Sequence, residues 1–184
     1  METTLDYDRP GSKVIRPAFL AHIVLRTADN TSFLAMVDFW VNFLDAEVTY
    51  QNEVLSFLSY DEEHHRVAIG IFPETIKRVG KPSGLAHVAF TYNSLQELAI
   101  LYYYDPDGNE IEIQVDNFDS REEATAFFAS VEFDENPIGV DFDPENLVAR
   151  LQQGESEISI KKRPRIGARA FQWASLQKYP ILGQ

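Results

Sequence analysis

FLAHIVLR, at residues 19–26, and GLAHVAFT, at residues 84–91, are near-copies of one another and decide the fold. Each is an eight-residue run rich in apolar side chains with a histidine near its centre, His22 in the first and His87 in the second. Short apolar runs of this kind predict β-strands. Because the two runs are so alike, we expect two related modules, each beginning with a strand that carries a histidine.

The first module is predicted to have the order βαβββ and to span residues 18–73. Potential helix caps at residues 29–32 precede the helix SFLAMVDFWVNFL, whose expected buried face consists of Leu34, Val37, Val41 and Leu44. Three short strands follow, at 47–51, 54–60 and 66–72. His64 and His65 are adjacent in the acidic turn between the last two strands, and we interpret both as solvent-exposed.

The second module, expected to span residues 84–118, begins in the same way but is too short. Ser94 and Glu97 form a capping box for a helix at NSLQELA. A hairpin follows almost at once, with strands at 101–104 and 109–115 around the turn Asp105–Gly108. A helix and a strand of the βαβββ pattern are therefore missing before residue 101. Either the chain has lost this piece or the sequence omits residues that belong there, and we favour the second explanation.

The segments before and after the two modules do not show the βαβββ pattern. Residues 1–17 lack periodicity and are interpreted as an N-terminal arm. Residues 119–184 are predicted to contain two short helices, opened by the capping box Ser120 with Glu123 and by Asp143-Pro144, followed by a basic and aromatic tail.

Composition limits the kinds of partner. The chain has 184 residues, 45% of them hydrophobic, and a formal net charge of -13. Such a charge opposes binding to nucleic acid or to anionic membranes, so a small-molecule partner is expected. No stretch approaches the ~20 apolar residues of a membrane span, and we expect a cytoplasmic protein. Because there is no cysteine, metal ligands would have to be His, Asp or Glu.

Three residues could form a metal site. If the modules are related by pseudo-symmetry, His22 and His87 converge on the groove between them. Glu112 lies in NEIEIQV, on the same strand face as Glu110 and Gln114. Two histidines and one carboxylate leave about half of an octahedral coordination sphere open, as in non-haem Fe(II) oxygenases. The alternative is that the histidines are hydrogen-bonded core residues and that the strand face simply contacts solvent.

The two histidine strands and the hairpin DPDGNEIEIQV resemble the vicinal oxygen chelate superfamily, which includes glyoxalases, bleomycin resistance proteins and extradiol dioxygenases. The resemblance covers roughly residues 18–118. It implies an α+β fold of paired βαβββ modules forming a half-open barrel, with a metal ion bound by His22, His87 and Glu112. The stretch LYYYDPDGNEIE is similar to the end of the signature of extradiol dioxygenases of the biphenyl-2,3-diol 1,2-dioxygenase type, which implies that Tyr102 is the active-site tyrosine.

The resemblance also implies a function: cleavage of an aromatic vicinal diol with O2 by an Fe(II)-dependent enzyme, with Mn(II) or Zn(II) as alternative metals and a homodimer or larger homo-oligomer as the assembly. The strand RVAIGIF offers no fourth ligand, which favours a three-ligand site. The extradiol signature normally has an acid/base histidine several residues before its Leu-Tyr pair. In this chain the corresponding residues, 96–100, include no histidine.

Two other functions remain open. The metal could act as a Lewis acid on an enolisable substrate, as in the isomerases, epimerases and lyases of the superfamily. The chain could also be a metal-free small-molecule binding protein.

Overall fold

The computed structural model describes residues 17–80, 83–98, 103–137, 140, 143–164, 166 and 167. They fall into two compact units. The first contains the described residues up to Gly84 together with Tyr104–Asn109, and the second contains Leu85–Tyr103 and the residues from Glu110 onward. Both are built from strands and helices, so the α+β class is confirmed. The proposed N-terminal arm and Tyr102 lie outside the described residues.

The first unit has the predicted order βαβββ. Its elements are β1 (Ile23–Thr27), α1 (Asn30–Leu44), β2 (Glu47–Gln51), β3 (Leu55–Ser59) and β4 (Val67–Ile71). The sheet order is β1-β4-β3-β2; β1 and β4 are parallel, and the other neighbours are antiparallel. The first strand begins four residues later than the run FLAHIVLR suggests. His22 therefore lies directly before β1 rather than in its middle.

Helix α1 covers the sheet of the first unit. Its N-cap is Asp29, whose side chain accepts a hydrogen bond from the backbone N of Ser32 at 2.8 Å. The predicted buried face was correct in part: Val37 is buried and Val41 and Leu44 are half-buried, but Leu34 is 50% exposed. The other buried apolar side chains are Phe33, Met36 and Trp40. These positions also recur at helical spacing. The reason for the difference is that the larger side chains fill the space above the buried β3 and β4 residues.

The second sheet contains β5 (His87–Tyr92), β6 (Tyr103–Tyr104) and β7 (Glu110–Val115), and α2 (Leu95–Leu98) follows β5 in the chain. Of β6, Tyr103 belongs to the second unit and Tyr104 to the first. The strand order of this sheet is β5-β7-β6, with β5 and β7 parallel. In the described part of the chain this sheet has three strands, whereas the sheet of the first unit has four. The second βαβββ pattern is thus incomplete, as its length in the sequence indicates.

Among the residues that the structure describes, four helices follow β7, whereas the sequence analysis predicted two. They are α3 (Arg121–Phe128), α4 (Val131–Glu135), α5 (Pro144–Gln152) and α6 (Glu157–Lys161). The two predicted caps, Ser120 and Asp143, open α3 and α5. The two additional helices are only five residues long, and each is capped by a serine, Ser130 or Ser156. No helix in the described ranges has the length and apolar character needed to cross a membrane.

The turn between β6 and β7 is built around a buried carboxylate. Asp105 is 3% exposed, and its Oδ1 accepts hydrogen bonds from the backbone N of Asp107 and Asn109. Its Oδ2 accepts from Asn109 Nδ2 at 2.8 Å and from Trp40 Nε1 at 3.2 Å. Burial raises the pKa of Asp105, and these hydrogen bonds partly offset the rise. Within the first unit, the turn is therefore attached to α1 through a buried polar contact.

Replacing this carboxylate should destabilise the protein. We expect Asp105→Ala to lower the free energy of unfolding by about 2–3 kcal/mol, because the Trp40 indole N–H and the turn N–H groups lose their acceptor. Urea denaturation followed by Trp fluorescence measures the change. The exposed Asp116→Ala is the control and should change stability by less than about 0.5 kcal/mol. Equal effects of the two substitutions would contradict the structural role of Asp105.

An ion pair stabilises the turn between α5 and α6. Arg150 Nε and Nη2 donate hydrogen bonds to the two carboxylate oxygens of Glu155, both at 2.7 Å. Ser159 Oγ donates to the same carboxylate at 2.6 Å. The hydrogen bonds from Arg150 and then from Ser159 lower the pKa of Glu155 to about 2. The carboxylate is thus more acidic in the folded chain than an unperturbed glutamate, whose ordinary pKa is 4.5.

This shift predicts a pH dependence of stability. Because the folded-state pKa is lowered, the contribution of Glu155 is fully present above about pH 4.5 and is lost as the pH falls from there towards about 2. Glu155→Gln should therefore make the free energy of unfolding less dependent on pH in this window, measured by urea denaturation at several pH values. Glu122→Gln, at an exposed position of α3, is the control. A wild-type pH dependence in Glu155→Gln would show that the ion pair does not form.

Candidate metal centre

His87 and Glu112 lie together on one face of the second unit. His87 is the first residue of β5, and Glu112 lies in the middle of β7. The parallel register pairs Ala89 with Glu112, so His87 is the diagonal neighbour of Glu112 on the same face. His87 Nε2 is 2.9 Å from Glu112 Oε2, and both side chains are accessible, at 48% and 30%. The structure therefore brings two of the three predicted ligands into contact.

The geometry of this pair fits two ligands of one metal ion. Nitrogen and oxygen ligands lie about 2.0–2.2 Å from a divalent transition metal, and two such ligands at right angles are about 3 Å apart. The observed separation of 2.9 Å agrees with this value. The opposite face of β7 is apolar, with Ile111 and Ile113 buried, so Glu112 cannot leave the open face without disrupting the core.

His22 occupies the corresponding position in the first unit. It precedes β1 by one residue, and β1 pairs in parallel with β4 just as β5 pairs with β7. The register of that pairing places Ala68 opposite Val24, where the second unit has Glu112 opposite Ala89. Ala68 cannot bind a metal. The residue of β4 that corresponds to Glu112 is therefore not a carboxylate.

His64 and His65 were both predicted to be solvent-exposed, and the prediction is confirmed for His64 but wrong for His65. The His65 residue is only 8% exposed, because its ring lies between the rings of Phe57 and His22. Burial, followed by the neighbouring His22 and His64, lowers the pKa of His65. The acidic composition of the turn concealed this role. The sequence contained one indication that His65 is buried. Phe57 lies on the other strand of the β3–β4 hairpin, close enough for its ring to stack on His65.

The complete ligand set remains a prediction. In the ranges given above, no group of three or more His, Asp or Glu side chains lies close enough to hold a metal ion. His87 and Glu112 are in contact within the second unit, and His22 belongs to the first. Tyr102, expected at the active site, lies outside the described residues.

The chain has relatives among known proteins, although no protein-family model matches it. It is 37% identical over 158 residues to biphenyl-2,3-diol 1,2-dioxygenase 2 of Rhodococcus globerulus, covering 73% of this chain and 82% of that protein. It is 36% identical over 172 residues to biphenyl-2,3-diol 1,2-dioxygenase 3 of the same organism, covering 78% and 87%. A crystal structure of a glyoxalase/dioxygenase from Nostoc punctiforme is 18% identical, with a TM-score of 0.43, over 58% of this chain and 98% of that one.

The first alignment is longer than the part of this chain that it covers. It extends over 158 positions but covers 73% of 184 residues, which is about 134, so about 24 positions (158 less 134) have no residue in this chain. Identity of 37% across 82% of a relative's length is nevertheless far above chance resemblance. The chain belongs to the vicinal oxygen chelate superfamily, where its relatives include the biphenyl-2,3-diol 1,2-dioxygenases.

Proposed function

We propose that the protein is an extradiol-type dioxygenase that cleaves an aromatic vicinal diol with O2, using an Fe(II) ion bound by His22, His87 and Glu112. The observation that carries this proposal is the 2.9 Å approach of His87 Nε2 to Glu112 Oε2 on an accessible sheet face. Two relatives named as diol dioxygenases support the reaction class. The substrate would be a small aromatic diol, and a homodimer or larger homo-oligomer stays a prediction.

The donor set suits this reaction. Two histidines and one carboxylate form the facial triad of non-haem Fe(II) oxygenases, which leaves coordination positions open for small molecules. Glu112 would be the single carboxylate, since Ala68 stands at the matching position of the first unit. A fourth protein ligand would reduce the space available to a diol that binds through two oxygens. The absence of a ligand at residue 68 thus supports a diol substrate.

A bound Fe(II) ion supplies Lewis acidity towards the diol oxygens and redox capacity towards O2. The chain's own contribution is to hold the donor atoms and to orient the substrate. His87 and Glu112 are fixed by strand pairing, so little ordering is needed when they bind. Thr91 and Gln114 continue the same face and are hydrogen-bonded to each other at 3.0 Å. Tyr102, as the signature implies, would donate a hydrogen bond from its hydroxyl to a substrate oxygen.

Metal content is the direct test of the ligand set. Protein loaded with Fe(II) without oxygen and then desalted should contain about one iron per chain by elemental analysis. His22→Ala, His87→Ala and Glu112→Ala should each lose most of this iron, because each removes one of three ligands. His64→Ala, which removes an accessible histidine outside the site, is the matched control and should keep it. Retention of iron by all three ligand variants would reject the site.

Oxygen consumption tests the reaction. With a panel of aromatic vicinal diols, the Fe(II)-loaded protein should consume O2 and form a yellow ring-opened product. The Zn(II)-loaded protein should do neither, because Zn(II) has no redox chemistry. Turnover of an enolisable substrate with Zn(II) or Mn(II), independent of O2, would instead support an isomerase, epimerase or lyase. Ligand binding that survives chelation, with no turnover of either kind, would support a metal-free binding protein.

A further inference from the structure

Four aromatic side chains form a row across the sheet of the first unit. Tyr50 of β2 contacts Phe57 of β3, with ring centroids 5.6 Å apart. Phe57 is stacked on His65 at 4.4 Å with an interplanar angle of 14°, and His65 contacts His22 at 4.4 Å with an angle of 33°. We call these four side chains the ring row. Their order follows the strand order, so the row ends at the proposed metal ligand His22.

His65 occupies its place in the ring row despite a structural disadvantage. Its Nδ1 is buried and has no hydrogen-bond partner among the residues that the structure describes. A buried polar atom without a partner destabilises a fold, and such atoms are uncommon. Stability alone would favour an apolar ring here, since the ring is enclosed by Phe57 and His22. What His65 presents to His22 is therefore the face of its ring and not a hydrogen bond from Nδ1.

The residue after His65 fixes the backbone next to His22. Arg66 Nη1 donates hydrogen bonds to the carbonyl oxygens of Leu20 at 2.9 Å and Ala21 at 3.0 Å. The backbone N of Ile23 donates to the carbonyl oxygen of Arg66 at 3.0 Å. Asp61 holds the Arg66 guanidinium, because both of its carboxylate oxygens accept from Nε. The backbone on both sides of His22 is thus attached to the same turn that supplies His65.

We infer that His65 is a positioning residue that holds the imidazole of His22 in the orientation needed to bind a metal, an inference that rests on the proposed role of His22 as a ligand. His22 is an exposed side chain, and an exposed histidine samples several rotamers. Ordering it when a metal binds reduces the affinity. Arg66 fixes the backbone on both sides of His22, and the face of the His65 ring limits the rotation of the His22 side chain.

The test compares two substitutions of the same ring. His65→Ala removes the face on which His22 rests, whereas His65→Phe keeps a flat ring between Phe57 and His22 and removes the unpaired Nδ1. We expect His65→Ala to weaken Mn(II) binding about 10-fold or more, as loss of a ligand's supporting residue does, and His65→Phe to stay within about 3-fold of wild type. The electron paramagnetic resonance signal of free Mn(II) gives the affinity. His64→Ala is the control: it removes a ring that contacts His65 edge-on but leaves the His65 ring on which His22 rests, so Mn(II) affinity should not change.

A second measurement uses the metal-free protein. In wild type and in His65→Phe, the NMR signals of the His22 ring should be displaced by the neighbouring ring. In His65→Ala they should move to the positions of an unrestrained histidine while the melting temperature shows that the fold is intact. Unchanged His22 signals and unchanged Mn(II) affinity in His65→Ala would overturn the inference, as would equal weakening by Ala and Phe.

The two proposals can fail separately. If His22→Ala binds Mn(II) as tightly as wild type, His22 is not a ligand and the proposed ligand set is wrong. The NMR signals of the metal-free protein then still decide whether His65 orients the His22 ring. If His22→Ala loses Mn(II) but His65→Ala does not, the ligand set stands and the positioning role of His65 is rejected.

Discussion

Parallel pairing between the first and the last strand of a module determines where the chemistry-bearing side chains lie. In the second unit, β5 and β7 pair from His87 with Glu110 to Tyr92 with Val115. Side chains directly opposite each other in a pair of strands share a face, so His87 and Glu112 become diagonal neighbours. The buried Ile111 and Ile113 fix this register, because a slip of one residue would turn glutamates into the core.

The same pairing has another consequence in the first unit. There, β1 pairs with β4 beginning at Ile23 with Val67, and Arg66 comes just before this pairing. The turn that ends at Arg66 is therefore brought beside the residue before β1. Sequence-distant side chains meet at this point: His22 and His65 are 43 residues apart, yet their rings are in contact. His22, the proposed ligand, and His65, its proposed support, therefore come from opposite ends of one module.

Features that depend on local pattern could be predicted from the sequence. The alternation in NEIEIQV predicted the accessible face of Glu112, and the two similar histidine runs predicted corresponding positions for His22 and His87. The cap Ser120 was recognised, and Asp29 was one of four candidates at residues 29–32, because capping hydrogen bonds are local. The superfamily and the α+β fold were implied by the resemblance of the two histidine strands and the hairpin to known proteins. The ligand set as a whole remains a prediction.

Features that depend on long-range packing could not be predicted in the same way. His65 lies in the turn DEEHH, whose composition is typical of solvent-exposed segments, and only the neighbouring strands bury it. The same limit applies to α1, where both Leu34 and Phe33 fit a helical stripe. The stripe that faces the sheet is the one whose side chains fill the volume above β3 and β4. Periodicity along the helix gives no information about that volume.

The turn around Asp105 shows that neither unit is one continuous piece of chain. The chain leaves the first unit after Gly84, returns to it for Tyr104–Asn109 and then leaves again. A fragment ending at residue 84 would lack Asp105, the acceptor for the buried indole of Trp40. The modules that the sequence presents as tandem repeats therefore do not correspond to two continuous stretches of chain. Exchange of a single module between homologues would have to carry this short segment with it, which limits how the fold can be recombined.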